Sequence, residues 1–227
     1  MGLSKYNRPI IIGHRANSGR IILYYKLSKI EYVEADITAS PRGPIVLHGP
    51  SDIERASKIG KVFAAIDYLL FYRDPIINPI TLDSWLKKVS WTRGVLLDVK
   101  PNIDPNDLIS AIEKSGYTGH ILFASKDHEY LFKLKQRFSK AVILATIEEK
   151  LIKLSQYIKE VNADGISAKY TILDNKIIKE LKNINKLVFA WTVNSPDKAL
   201  ELVEKGVDGI ITDRPDVIKK HIKINNK

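Results

Sequence analysis

Short runs rich in β-branched and other apolar residues recur along the chain, and between them lie longer stretches whose apolar positions return every three or four residues. The runs predict strands and the stretches predict amphipathic helices. Strands are expected over Pro9–His14, Tyr32–Thr38, Gly94–Lys100, Ile121–Ser125, Ala141–Thr146, Gly165–Ala168, Leu187–Val193 and Gly209–Thr212. Helices are expected over Gly19–Ile30, Thr81–Val89, Asp104–Ser115, Asp127–Phe138, Glu148–Val161, Asp174–Lys182 and Ser195–Lys205. Several of these carry their own punctuation. Asp104-Pro105 and Ser195-Pro196 each place a capping side chain before a proline suited to the first helical position, and Gly116 and Gly206 stand where helices stop.

Eight strands alternating with helices predict an all-parallel sheet with right-handed crossovers. At this length a closed (β/α)8 TIM barrel, one α/β domain over residues 1–227, is the natural solution. An open doubly wound sheet is the competing arrangement, but no GxGxxG follows the first strand. An irregular excursion at residues 39–80 separates strands two and three. It holds a further extended piece, Ile45–His48, and an apolar stretch, Ala64–Tyr72, that reads either as a helix packed on the barrel or as a membrane-touching lid.

Composition narrows the chemistry. With 44% hydrophobic residues the chain can bury enough surface to fold, which excludes a disordered protein. It has no cysteine, so disulfide scaffolds, thiolate zinc sites, Fe–S clusters and cysteine nucleophiles are excluded. The polar start, Met1 to Pro9, lacks the apolar core of a signal peptide, and Tyr6 stands where a myristoylation site needs Ser or Thr. No apolar run approaches the roughly 20 residues of a membrane span, so a soluble cytoplasmic protein is expected. Lys and Arg number 36 against 26 Asp and Glu, a net charge of +10 that admits nucleic acid, an anionic membrane surface or a phosphorylated substrate as partner. No nucleic-acid-binding motif accompanies it, so nucleic acid is not expected. The clusters Lys87-Lys88 and Lys219-Lys220-His221-Ile222-Lys223 read as solvated surface.

In such a barrel, function collects at the carboxyl ends of the strands, and residues two apart on a strand share a face. Strand one ends in Gly13-His14-Arg15, a proton carrier beside a fixed cation. Glu34 and Asp36 share a face of strand two, and Asp98 and Lys100 close strand three. Taken singly these are unremarkable: a Glu-x-Asp pair is common on solvated strands, and Asp98 and Lys100 could pair with each other. Together, three acids at one mouth require a cation, and hard oxygen ligands suit Mg²⁺ or Ca²⁺ better than zinc. His48 is a second candidate proton carrier. Two histidines across a phosphate would let one deprotonate the nucleophile while the other protonates the leaving oxygen. His120, at a strand start, His128, in a helix, and His221, in the basic run, are weaker candidates.

The chain also resembles the glycerophosphodiester phosphodiesterases. Gly13-His14-Arg15, Val33–Ile37, Pro44–His48, Ile80–Leu82, Ser125–Asp127, Trp191–Asn194 and Gly206–Asp213 match that family's motifs in order. The resemblance implies a metal-dependent barrel that cleaves a small-molecule glycerophosphodiester to glycerol phosphate and an alcohol. It makes His14 and His48 the acid/base pair, and Glu34, Asp36 and Asp98 the ligands of Mg²⁺ or Ca²⁺. Arg15 and Lys100 would neutralise the phosphate, while Trp191 and Asn17 would contact substrate. In this family a neighbouring hydroxyl can attack first, giving a cyclic phosphate that water opens.

Three positions depart from the pattern. Asn17-Ser18-Gly19 stands near where Pro-Glu-Asn-Thr is usual, Asp98 replaces a Glu, and His48 is followed by Gly49 rather than Asp. In these His14–Asn17, His48-Gly49 and Asp98–Lys100 resemble the sphingomyelinase D-like phospholipase D branch of the superfamily. That branch implies lysophospholipid substrates, a greasy groove (for which Ala64–Tyr72 is the candidate) and transient contact with a membrane surface. A non-catalytic barrel that binds phosphate or polyanions is the remaining reading. Oligomeric state is left open.

Overall fold

The computed structural model describes residues 9–47, 79–100 and 102–225. Eight parallel strands form the wall of the barrel: β1 (Ile10–Gly13), β2 (Tyr32–Thr38), β4 (Gly94–Val99), β5 (His120–Ser125), β6 (Val142–Ile147), β7 (Gly165–Lys169), β8 (Leu187–Trp191) and β9 (Gly209–Thr212). The sheet closes because β1 is flanked on one side by β9, with Ile10 opposite Gly209, and on the other by β2, with Ile12 opposite Tyr32. A two-residue strand β3 (Ile45–Val46) runs antiparallel to the end of β2. Around the barrel lie α1 (Gly19–Leu27), α2 (Leu82–Lys88), α3 (Pro105–Ser115), α4 (His128–Arg137), α5 (Leu154–Glu160), α6 (Asn175–Asn183), α7 (Pro196–Glu204) and α8 (Pro215–Asn225). None of the described helices is long and apolar enough to cross a membrane.

The period of two along each strand sorts its side chains. On β2, Val33, Ala35 and Ile37 face outward into the apolar layer beneath the helices. Tyr32, Glu34 and Asp36 alternate with them and face inward. The lower interior is packed by Ile10, Ile12, Tyr32, Leu96, Leu122, Leu144, Phe189 and Ile211. Tyr32 closes the amino-terminal end: its ring occupies the space a side chain on Gly94 would need, since a Cβ there would lie 2.3 Å from it. Its hydroxyl bonds His120 Nδ1 at 2.8 Å, which makes His120 part of the structural floor. The interior is therefore apolar below and charged only at the carboxyl mouth.

The expected strands and helices are all present, with ends moved by a few residues. Asp104 and Ser195 cap their helices as predicted, and Gly116 and Gly206 take the positive φ of helix stops. Two elements differ. The helix expected from Glu148 begins only at Leu154, because Lys153 turns the chain through a left-handed φ of 59° and leaves 148–153 as a loop. The basic run at 219–223, read as a solvated surface run, lies within α8, which was not expected. Ile218 and Ile222, one turn apart, are buried there while lysines occupy the other faces. The apolar stretch Ala64–Tyr72 lies outside the described residues, as does His48.

Two aspartates tie strands together at the amino-terminal end in the same way. The carboxylate of Asp164 accepts the Ile143 amide at 2.8 Å and the Lys135 ammonium at 2.6 Å. That of Asp208 accepts the Val188 amide at 2.8 Å and Lys182 at 2.6 Å. Each clamp joins the start of one strand to the strand and helix before it. Replacing either aspartate by alanine strips a backbone amide of its partner. The expected loss is about 1–3 kcal/mol in urea unfolding, with the opposite mouth of the barrel unaffected.

Candidate active site

A cavity of about 210 Å³ opens at the carboxyl mouth, and His14, Arg15, Glu34, Asp36, Asp98, Lys100 and Trp191 all line it. Seven residues expected from the sequence thus converge from four strand ends. β2 and β4 run in register, with Glu34 opposite Leu96 and Asp36 opposite Asp98, so the three carboxylates fall on adjoining inward positions. Each offers an oxygen within 4.8 Å of the others; Glu34 and Asp36 are buried and Asp98 is partly buried.

Three negative charges at that spacing need compensation. Burial first, and Asp36 and Asp98 next, push the Glu34 carboxyl well above the ordinary carboxylate range. The Lys100 ammonium lies 2.8 Å from Asp36 and 2.6 Å from Asp98. Burial works against its charge, but the two aspartates outweigh that and hold its pKa above the usual lysine value. Lys100 thus meets two of the three carboxylates. The donor set, all hard oxygens, fits a divalent cation such as Mg²⁺ or Ca²⁺.

The turn after β1 is built to hold His14 and Arg15 in place. Arg15 adopts a left-handed φ of 51°, which costs a non-glycine residue about 1–2 kcal/mol. Its amide donates to Glu34 Oε2 at 2.6 Å. The Tyr25 hydroxyl of α1 donates to the His14 carbonyl at 2.6 Å, and the Trp85 indole of α2 donates to that of Ala16 at 2.7 Å. Asn17 is buried behind the cluster, where its amide donates to Asp36 Oδ2 at 3.2 Å. Its contact is thus to a carboxylate of the cluster.

His14 has a partner that sequence reasoning did not assign. Its Nδ1 lies 2.7 Å from Asp213 Oδ1, just past the end of β9. Asp213 is itself fixed by Asn194, whose amide donates to Oδ2 at 2.7 Å and whose Oδ1 accepts the Asp213 amide at 2.9 Å. Burial raises the Asp213 carboxyl, but the bonds from His14 and Asn194 reverse this and bring it below the ordinary range. In the neutral ring an anionic Asp213 selects the tautomer with a proton on Nδ1, which turns the other nitrogen, Nε2, toward the acidic cluster, 4.0 Å from Glu34 Oε2. The signal was available: Asn194 and Asp213 also follow strand ends.

The other described histidines are engaged elsewhere. His128 starts α4, where Nδ1 bonds the Tyr157 hydroxyl at 2.5 Å and Nε2 faces the Thr146 carbonyl at 3.2 Å. His221 Nε2 lies 3.4 Å from Asp197. His48 follows the last described residue of its run, Leu47, whose amide donates to the Asp36 carbonyl at 3.1 Å.

Residues 104–217, half of the chain, match the model of the glycerophosphoryl diester phosphodiesterase family. Among curated proteins, YhdW of Bacillus subtilis is 29% identical over 155 residues, covering 64% of this chain and 63% of that protein. The glycerophosphodiester phosphodiesterase GDPD4 of Arabidopsis thaliana is 20% identical over 211 residues, covering 85% and 64%. The chain thus spans under two thirds of the length of these relatives. Among solved structures, a phosphodiesterase of Oleispira antarctica, crystallised with its product sn-glycerol-3-phosphate, superposes with a TM-score of 0.73 at 18% identity, over 95% of this chain and 97% of that one. A glycerophosphodiester phosphodiesterase of Parabacteroides distasonis gives 0.76 at 16%, over 97% and 99%. At these identities the structural likeness establishes the barrel.

Two outcomes follow from the geometry. In wild-type protein the His14 Nδ1 proton should give a far-downfield NMR resonance that Asp213→Asn removes while the acidic cluster stays intact. In EDTA, a Glu34 whose folded pKa lies above its ordinary 4.5 contributes stability that is full below that ordinary value and lost as pH rises through the folded one. Glu34→Gln should flatten this fall. A divalent cation should raise the melting temperature of wild type near neutral pH and leave that of the variant unchanged.

Proposed function

Because the chain belongs to the glycerophosphoryl diester phosphodiesterase family, we propose that it hydrolyses glycerophosphodiesters to glycerol phosphate and an alcohol. The observation that carries this reading is the meeting of His14, oriented by Asp213, with three carboxylates in one small cavity. A proton carrier, a cation site and two side-chain cations fit a phosphodiester, whose cleavage needs one proton removed, another delivered and negative charge absorbed.

In the proposed reaction the phosphate lies between Arg15 and Lys100. Glu34, Asp36 and Asp98 would hold the cation, with Lys100 beside Asp36 and Asp98. When bound by Glu34, Asp36 and Asp98, Mg²⁺ or Ca²⁺ supplies positive charge to the phosphoryl oxygens as they gain negative charge. His14 Nε2 accepts or returns a proton at the reacting oxygen while the Asp213 carboxylate stabilises the charged ring. His48 is the proposed second proton carrier, exchanging roles with His14. Attack by an adjacent substrate hydroxyl, its proton taken by one histidine, would break the P–O bond to the alcohol, which leaves with a proton from the other; water then opens the resulting cyclic phosphate with the two roles reversed. Trp191 offers an apolar wall for the substrate's carbon skeleton, and Asn17 steadies Asp36. The acting unit is one barrel domain.

The test is product release from a panel of glycerophosphodiesters with Mg²⁺, Ca²⁺ or EDTA. Glycerol phosphate should appear with metal and not with EDTA, and Glu34→Ala should lose activity and metal response together. His14→Ala and His48→Ala should each lower turnover by about 10²–10⁴, the usual contribution of one acid/base group, while cation binding is kept. Retained turnover in His14→Ala would overturn the mechanism. A cyclic product formed only from lysophospholipids would assign the chemistry to the phospholipase D-like branch.

A further inference from the structure

The wall of the catalytic cavity across from the acidic cluster is made by β6 and β7. Around the closed sheet, β7 is reached from β2 through β4, β5 and β6 or through β1, β9 and β8, so it stands directly opposite. β6 stands opposite β1 in the same way. Thr146 of β6 and Ser167 of β7 are paired in register, and both line the cavity. They are the two hydroxyl-bearing residues among the described lining, alongside the apolar Leu96, Ala124 and Ile211.

Thr146 Oγ1 is buried and has no hydrogen-bond partner among the described residues. A stranded buried hydroxyl is unfavourable, and valine would supply the same branched shape to the strand without it. Ser167, its neighbour, is 3% exposed. The backbone beneath Thr146 is held from outside the barrel: its carbonyl faces His128 Nε2 at 3.2 Å, and His128 Nδ1 bonds the Tyr157 hydroxyl at 2.5 Å. A hydroxyl kept without a protein partner, on a fixed strand end inside a catalytic cavity, is placed to bond a ligand.

We propose that Thr146 and Ser167 are specificity-determining residues that bind a free alcoholic hydroxyl of the substrate. This rests on the phosphodiesterase reading, which puts the phosphate at the acidic cluster. A small substrate spanning the cavity of about 210 Å³ then presents its carbon skeleton to the opposite wall. A hydroxyl both accepts and donates, so it can take the Thr146 proton and give its own to Ser167. The wall carries no net charge to favour an ammonium or a carboxylate instead: the two hydroxyls are neutral, and Lys126 and Glu148 pair with each other at 2.8 Å. The hydroxyl belongs to the retained glycerol or to the departing alcohol, and the bonds it makes are the same in either case.

The test compares two pairs of diesters in the presence of Ca²⁺. Glycerophosphoethanolamine is set against its 1,2-propanediol counterpart, which lacks only the terminal hydroxyl of the glycerol half. Glycerophosphoglycerol is set against glycerophosphopropanol, whose departing alcohol has no further hydroxyl. In wild type the hydroxylated member of at least one pair should be favoured about tenfold, mainly through KM, and the pair affected identifies the half that is read. Thr146→Val and Ser167→Ala should bring that ratio toward one, and Thr146→Ser should keep it. Thr146→Val should not lower the melting temperature without ligand, because Oγ1 has no partner to lose. Calorimetric binding of the same four diesters gives the ratio even where none is turned over. A ratio near one in both pairs, a ratio that survives both substitutions, or no binding of any diester overturns the proposal; turnover in the first two cases leaves the phosphodiesterase reading standing. A lower melting temperature in Thr146→Val, with both members of each pair weakened alike, makes the hydroxyl structural and also overturns it. No turnover of any diester, with a binding preference that both substitutions abolish, overturns the phosphodiesterase reading and keeps the hydroxyl wall.

Discussion

Holding three carboxylates together at the end of a barrel is the constraint around which the mouth is organised. Like charges at this spacing repel, and burial makes each harder to ionise. The surrounding fold answers with directed contacts: the Arg15 amide on Glu34, the Asn17 amide on Asp36 and the Lys100 ammonium across Asp36 and Asp98. These contacts depend in turn on Tyr25 and Trp85, which reach from two outer helices to fix the turn carrying His14 and Arg15. A helix surface thereby sets the geometry of the centre. The result is three hard-oxygen donors close enough together to suit a divalent cation.

The same barrel separates its tasks along its axis. Below the mouth the interior is hydrocarbon sealed by Tyr32, and the amino-terminal rim is tied by the Asp164 and Asp208 clamps. That rigidity lets the carboxyl end carry strain, unfavourable charge and exposed apolar surface, which a less well-packed domain would lose to local rearrangement. Arg15 and Lys153, both in left-handed conformations without glycine, mark where backbone strain is held in place by neighbouring contacts. One holds His14 and Arg15 beside the acidic cluster; the other precedes the helix after a loop that leaves Leu151 and Ile152 exposed.

Much of this was legible in the sequence because its period is local. The alternation in Tyr32–Thr38 puts Glu34 and Asp36 on one face whatever the rest of the chain does. Asp104-Pro105 and Ser195-Pro196 start helices through bonds made within four residues. The start of the helix expected from Glu148 was misplaced because nothing nearby forces Lys153 to a positive φ. The helix over Pro215–Asn225 was missed because Lys219, Lys220 and Lys223 read as a solvated charge run, while Ile218 and Ile222 mark its buried face.

The sequence by itself determined the strand and helix order, hence the closed parallel barrel, and which residue types stand at the strand ends. Those follow from short-range periodicity and from the rule that parallel strands return through right-handed helices. Tertiary structure alone decided the partners. Asp213 lies 199 residues from His14, and no local pattern says that closing the sheet between β9 and β1 will bring its carboxylate to that ring. Lys100, which sequence could only pair with Asp98, bridges Asp98 and Asp36 because β2 and β4 lie in register. Partnerships of this kind are set by the closure and register of the barrel, which only the folded chain supplies.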